Sequence, residues 1–249
     1  MAGGEASLVI TIRELAEREE FEQAVELQRT IWSFSDLELI PVRFFIVASK
    51  VGGQVLGAFD GDRMVGFLLA VPGIKRGGQS YLHSQMLGIL PDYRDHGLGR
   101  RMKLRQRDIA LARGIQLIEW TFDPLESRNA FFNLHRLGAI VRRYVPNQYG
   151  RTSSTLHSGL PTDRFIAEWW IGSDHVINVL SGESAPIEPL ARIPLPLDIG
   201  TLRHESPEKA REVQKSIHEA CQEYFLQDLA IVGFEKTDND FGYLLTRWQ

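Results

Sequence analysis

Between Arg94 and Arg107 the chain carries six cations, Arg94, Arg100, Arg101, Lys103, Arg105 and Arg107, against one acid, Asp95. Gly97 and Gly99 lie at the start of this run. Residues of these types at this spacing suit the holding of a phosphate. A helix start offers unpaired N–H groups and a partial positive charge, and glycine removes the side chains that would keep an anion off the backbone. Cations in a first helical turn oppose the macrodipole at a cost of roughly a few tenths of a kcal/mol each, and an anionic ligand reverses that sign. A charge run by itself also fits a solvated helix face. The flanking elements favour the phosphate reading.

Tyr81–Leu90 has the pattern of a strand that breaks at Pro91. The turn Asp92 to Gly99 follows, and a basic helix runs from Leu98 to about Ala112. Upstream, Leu8–Leu15 is expected to be a strand and Arg18–Trp32 a helix, with Phe21, Val25, Leu27 and Ile31 at mostly helical spacing. Pro41 opens a second helix, Val42–Val51, which ends at Gly52-Gly53. Val55–Phe59, Asp60-Gly61-Asp62 and Met64–Val71 form a hairpin by their turn chemistry. Downstream come a strand Gln116–Phe122, a helix Arg128–Leu137 capped by Ser127, and strands Ile140–Tyr144 and Phe165–Ile171.

Arg94-x-x-Gly97-x-Gly99 resembles the acyl-CoA pyrophosphate loop of the GNAT acyltransferase superfamily, and residues 8 to about 172 match that fold in element order. No Gly-Lys-Ser/Thr follows, so the loop is not a Walker A motif, and the surrounding order is wrong for a dinucleotide fold. The resemblance implies an α+β GNAT acyltransferase fold, with a mixed, mainly antiparallel sheet flanked by helices. It also implies that Tyr81–Leu90 splays from Gln116–Phe122 to admit the pantetheine arm. Residues 1–172 would be the acyl-CoA-binding domain.

Residues 173–249 extend beyond the usual fold. A short strand Val176–Leu180, a proline-bearing linker through Pro186, Pro189, Pro194 and Pro196, a helix Pro207–Phe225 and strands Leu229–Phe234 and Gly242–Trp248 are expected there. This β-α-β-β segment has no phosphate loop and is taken as structural or as a homodimer contact. The stretches Trp120 to Leu125 and Asp163 to Trp170 resemble a less-described branch of the superfamily, which implies succinyl-CoA as well as acetyl-CoA as donor and an amino acid as acceptor.

N-acylation requires an amine that loses a proton, a polarised thioester carbonyl and a protonated leaving thiolate. The resemblance assigns pantetheine binding to backbone N–H groups near Leu87, Gly88 and Ile89. Pyrophosphate binding falls to Arg94, Asp95, His96, Gly97, Leu98, Gly99 and Arg100, and a contact to the CoA arm to Asn129. His83 and Glu119 are the candidate bases. By strand alternation His83 shares a face with Gln85, Leu87 and Ile89, and its pKa suits the role. Glu119 sits among apolar residues and must be paired, protonated or in a wet cleft. Many superfamily members place an acidic tyrosine four residues before the glycine that ends the following helix. That position, counted back from Gly138, is Leu134. Tyr149 or Tyr144 could supply the proton instead. Arg43, Arg128 and Arg151 could pair with a substrate carboxylate.

The formal charge of −4 and pI near 6.0 leave no global basic field to recruit nucleic acid, and no aromatic interleaves the basic run. One cysteine, Cys221, excludes an internal disulfide and a cysteine metal cluster. With no leader and no apolar run near 18 residues, the protein is expected to be cytoplasmic, with no membrane partner. The expected activity is transfer of an acetyl or succinyl group to a small primary amine, without a metal. The alternative is an acyl-CoA-binding regulatory module with little catalysis.

Overall fold

The computed structural model describes residues 10–150 and 160–248. The first two residues of the expected strand Leu8–Leu15, and Arg151, lie outside the described residues. The chain forms two compact units, Met1–Gln116 and Leu117–Gln249.

In the first unit, four antiparallel strands run in the order β1 (Ile10–Glu14), β2 (Gln54–Asp60), β3 (Arg63–Ile74) and β4 (Ser80–Ile89). Helix α1 (Arg18–Trp32) begins in a reciprocal capping box. Glu20 Oε2 accepts from the Ala16 and Glu17 backbone N–H groups at 2.8 and 3.1 Å. Its Phe21, Ala24 and Leu27 are buried. Helix α2 (Val42–Lys50) starts after Pro41 as expected and buries Phe45. The Phe45 ring lies between Phe21 at 6.5 Å and Phe67 of β3 at 6.0 Å. Helix α3 (Leu98–Ala112) follows β4.

In the second unit the strand order is β5 (Leu117–Phe122), β7 (Arg164–Trp170), β6 (Ile140–Val145), β9 (Leu229–Lys236), β10 (Asp240–Arg247) and β8 (Ala191–Pro196), again antiparallel. The α+β class and the extra C-terminal strands are both present, but two helices rather than one separate β8 from β9, and the first strand of that segment is not the one expected. Residues 176–180 lie in helix α5 (Asp174–Ser181). Ser173 Oγ accepts from Val176 N at 3.3 Å, and Gly182 closes the helix at φ 80°. This local capping overrides the β-branched composition. The strand is instead β8, drawn from the proline-bearing stretch. As the terminal strand of its unit it leaves one side unpaired, where proline is tolerated.

The expected helix Arg128–Leu137 also differs. Glu126, not Ser127, is the N-cap of helix α4 (Ser127–Ala130), which continues as a π-helical turn over Phe131–Arg136. Leu137 N donates to Phe132 O at 3.1 Å. The wider turn carries Asn133 inward, where its Oδ1 accepts from Trp120 Nε1 at 3.2 Å. Helices α6 (Ile199–Glu205) and α7 (Pro207–Leu226) complete the unit.

Candidate active site

The phosphate-loop candidate is a β4–turn–α3 unit. Tyr93 donates its hydroxyl to Asp60 at 2.7 Å, which ties the turn to the β2 end. Arg94 Nε donates to the Ile89 carbonyl at 3.0 Å, folding the turn back on the strand. Asp95 and Gly97 have positive φ, 64° and 74°. Gly97 is the N-cap of α3, which has no side-chain cap and no acid in its first turn. Leu98 is buried and anchors the helix start, while His96 and Gly97 are exposed. Gly99 and Arg100 are partly exposed in the first turn.

The basic run is not a uniform solvated face. Arg101 reaches the Ile10 carbonyl at 2.6 Å. Lys103 is buried, and its Nζ donates to Ser84 Oγ at 3.2 Å and Gln106 Oε1 at 2.8 Å. Burial holds its pKa well below the usual lysine value.

Strand β4 contains a bulge that alternation did not anticipate. Ser84 pairs with Ala70 and Met86 with Leu69, which leaves Gln85 as the extra residue. Directly paired residues share a face. His83 therefore shares a face with Met86 and Gly88, opposite Val71, Leu69 and Phe67. Leu87 and Ile89 share the other face with Ser84, so the expected common face of His83, Leu87 and Ile89 does not form. Gly88 is required for close packing: a Cβ there would lie 2.8 Å from Trp32, 2.9 Å from Ile31 and 3.0 Å from Phe67. Helix α1 thus packs directly on the His83 face of β4.

In the second unit Glu119 is paired, one of the three states its apolar setting allowed. It is buried on β5 directly opposite Glu168 of β7, also buried. Arg143 binds both, with Nη2 donating to Glu119 Oε1 and Nε lying 3.4 Å from Glu168 Oε1. Arg142 Nη2 lies 2.5 Å from Glu168 Oε2. A bulge on β6 makes this pairing: Val141 opposes Ala167 and Arg143 opposes Ile166, so Arg142 is the extra residue. Composition pointed to neither arginine, because a bulge has no signature in side-chain period.

Tyr149 is exposed, and its hydroxyl lies 2.9 Å from Thr121 Oγ1. Its backbone N donates to Thr162 Oγ1 at 2.9 Å, and the Arg164 guanidinium sits 5.4 Å above its ring. Tyr144 differs. Burial and a bond donated to Asp163 push its pKa well above the usual tyrosine value. Leu134 is buried, and His135 is exposed and stacked on Phe131 at 4.5 Å. Asn129 is exposed in α4, and Arg43 and Arg128 are exposed on α2 and α4. Cys221 is buried and its thiol pKa is raised by that burial, as expected of a packing residue.

The sequence model described as "Acetyltransferase (GNAT) family" matches residues 12–138, just over half of the chain. The chain belongs to the GNAT acetyltransferase family. Solved structures share the fold at low identity. The Salmonella typhimurium protein yncA with its cofactor acetyl-CoA is 17% identical, covers 72% of this chain and 98% of its own, and gives a TM-score of 0.52. An Escherichia coli ribosomal-protein alanine N-acetyltransferase is 17% identical, with 66% and 96% covered and a TM-score of 0.52. Arabidopsis thaliana NAA60 in complex with a bisubstrate analogue is 14% identical, with 65% and 98% covered and a TM-score of 0.52. Among curated proteins none matches this sequence.

The GNAT match spans β4, the turn and α3 entire and ends at Gly138. Tyr149 and strands β8 to β10 therefore lie beyond the matched span. No helix among the described residues is long and apolar enough to cross a membrane.

Proposed function

We propose that this GNAT member is an acyl-CoA-dependent N-acetyltransferase acting on a primary amine. The observation that carries the reading is the uncapped start of α3 behind a left-handed Gly97, with no acid in its first turn. That arrangement presents backbone N–H groups and a positive helix end to a pyrophosphate. Residues 94–100 hold the pyrophosphate, the β4 backbone at Leu87, Gly88 and Ile89 holds the pantetheine, and Asn129 contacts the CoA arm.

The amine nitrogen attacks the thioester carbonyl carbon and gives up a proton to the His83 imidazole, with Glu119 as the alternative base. Its ion pair with Arg143 makes Glu119 the weaker candidate. The C–S bond then breaks and the departing thiolate takes the phenolic proton of Tyr149. Products are the amide and free CoA, and water restores both protonation states. Tyr149 is favoured over Tyr144 because Tyr144 already donates its proton to Asp163. Residues 1–172 form the acyl-CoA-binding part and residues 173–249 a structural addition. The protein is read as cytoplasmic.

Thiol release from acetyl-CoA and succinyl-CoA against a panel of L-amino acids and short peptides tests this reading. Release that requires both amine and donor supports it, and the faster donor names the acyl group. Binding of acetyl-CoA without release with any amine favours the second reading, an acyl-CoA-binding module, which the buried Leu134 at the usual tyrosine position supports.

A further inference from the structure

We propose that helices α6 and α7 set the position of the Tyr149 hydroxyl, with Arg203 and Gln214 as positioning residues. The proposal rests on the acid role given to Tyr149 above. Thr162, Thr121 and Arg164 contact this tyrosine directly, and the C-terminal segment grips their neighbours Pro161 and Asp123 from two sides.

The backbone side is held through residues 161 and 162. Tyr149 N donates to Thr162 Oγ1 at 2.9 Å and Gln148 N to the Thr162 carbonyl at 3.0 Å. The adjacent Pro161 carbonyl accepts from Gln214 Nε2 of α7 at 2.9 Å. Gln214 is a buried amide on an otherwise apolar helix face with Ala210, Ile217 and Cys221. Burying an amide is unfavourable unless it is bonded, so the contact fixes where the 161–162 backbone lies. One turn further along α7, the His218 ring stacks on Tyr144 with centroids 4.6 Å apart.

The ring side is held through Asp123. Arg203 Nη2 of α6 donates to Asp123 Oδ2 at 2.8 Å, and Arg164 Nη1 lies 3.8 Å from the same oxygen. Arg164 is the cation above the Tyr149 ring. Asp123 follows β5 two residues after Thr121, whose hydroxyl meets that of Tyr149. The Arg203 and Asp123 side chains are 8% and 13% exposed. An ion pair this buried contributes little net stability and matters more for geometry. Tyr149 itself is 47% exposed, so without these grips its ring would be free to change rotamer. A proton donor displaced by about 1 Å can lose as much as a hundredfold in rate.

The test places 3-fluorotyrosine at position 149 of the full chain and reads its fluorine NMR line in the parent and in the R203K and Q214L variants. Glu235→Gln, which alters the Arg192 contact in the β8–β10 region, serves as control. The proposal predicts one narrow line in the parent and in E235Q, and a shifted or multiple line in R203K and Q214L. With acetyl-CoA and a pool of L-amino acids, thiol release should slow by roughly tenfold at unchanged KM for acetyl-CoA. R203K should add nothing in a Y149F background. Gln214→Leu decides the matter alone if R203K does not fold. An unmoved line in the folded variants overturns the positioning role and leaves the acid role standing. A moved line with Y149F as active as the parent upholds the positioning and removes the acid role.

Discussion

Glu119 and Glu168 face each other directly across β5 and β7, both buried, and Arg143 binds the two together. Two carboxylates in this register repel one another unless a cation lies between them. Removing Arg143 leaves Arg142 bound to Glu168 but takes away the cation that bridges the two acids. Arg143→Met should therefore destabilise the second unit by about 2 kcal/mol, toward the lower end for a broken charged hydrogen bond because Arg143 is half exposed. Urea unfolding measures it. R142M should cost less, because it leaves Arg143 bridging both acids.

Acid should weaken the fold through His175. This residue of α5 is partly buried against Trp248, ring centroids 5.1 Å apart, and its Nε2 is buried without a hydrogen-bond partner. Burial lowers its pKa below the ordinary 6.5. The unfolded chain then takes up the proton first as pH falls. The stability is complete above about pH 6.5 and declines below it, by at most about 1.4 kcal/mol per pH unit from this group. Unfolding free energies of the parent and of H175F between pH 7 and 5 check this, with the smaller slope expected in H175F.

Lys103 predicts a dependence of the same sign at the alkaline end. Its folded pKa is depressed by burial, so the unfolded chain holds the extra proton as pH rises from the folded value toward 10.5. Stability should increase over that interval in the parent and not in K103M. Chemical unfolding at pH 7 and pH 9 separates the two.

The catalytic roles separate by kinetic parameter. His83→Ala should lower kcat by roughly 100-fold with little change in acetyl-CoA affinity, the range for loss of a general base. Equal turnover would move that role to Glu119 or water. Gly99→Glu should abolish acetyl-CoA binding and leave the fold intact, because it places a carboxylate in the first turn of α3.

Much of this architecture is legible in the chain. The Pro41 helix start, the Gly61 hairpin and the run from β4 through Gly97 to α3 depend on local chemistry that spacing reveals. The two bulges do not. Gln85 and Arg142 each add one residue to a ladder, and alternation counted along the sequence then assigns wrong faces beyond them. Helix α5 is not legible in composition, because its stability comes from the Ser173 cap and Gly182 rather than from its β-branched interior. Strand β8 is equally hidden, because proline usually argues against a strand, yet an edge accommodates it. At the site, Tyr149 and Glu119 were visible as residue types, but Thr121, Arg143 and Arg164 became visible only through the long-range pairing that gathers them.

The most direct test of the account is thermal melting of the purified protein with and without acetyl-CoA, repeated on Gly99→Glu. A ligand that binds only the native state stabilises it by about 2.7 kcal/mol at roughly a hundredfold excess over Kd, which for a chain of this size is about 5–10 °C in Tm. Such a shift is expected for the parent and none for the variant. No shift in the parent at millimolar acetyl-CoA would mean that the loop before α3 is only a turn, and would contradict the proposed function at its base.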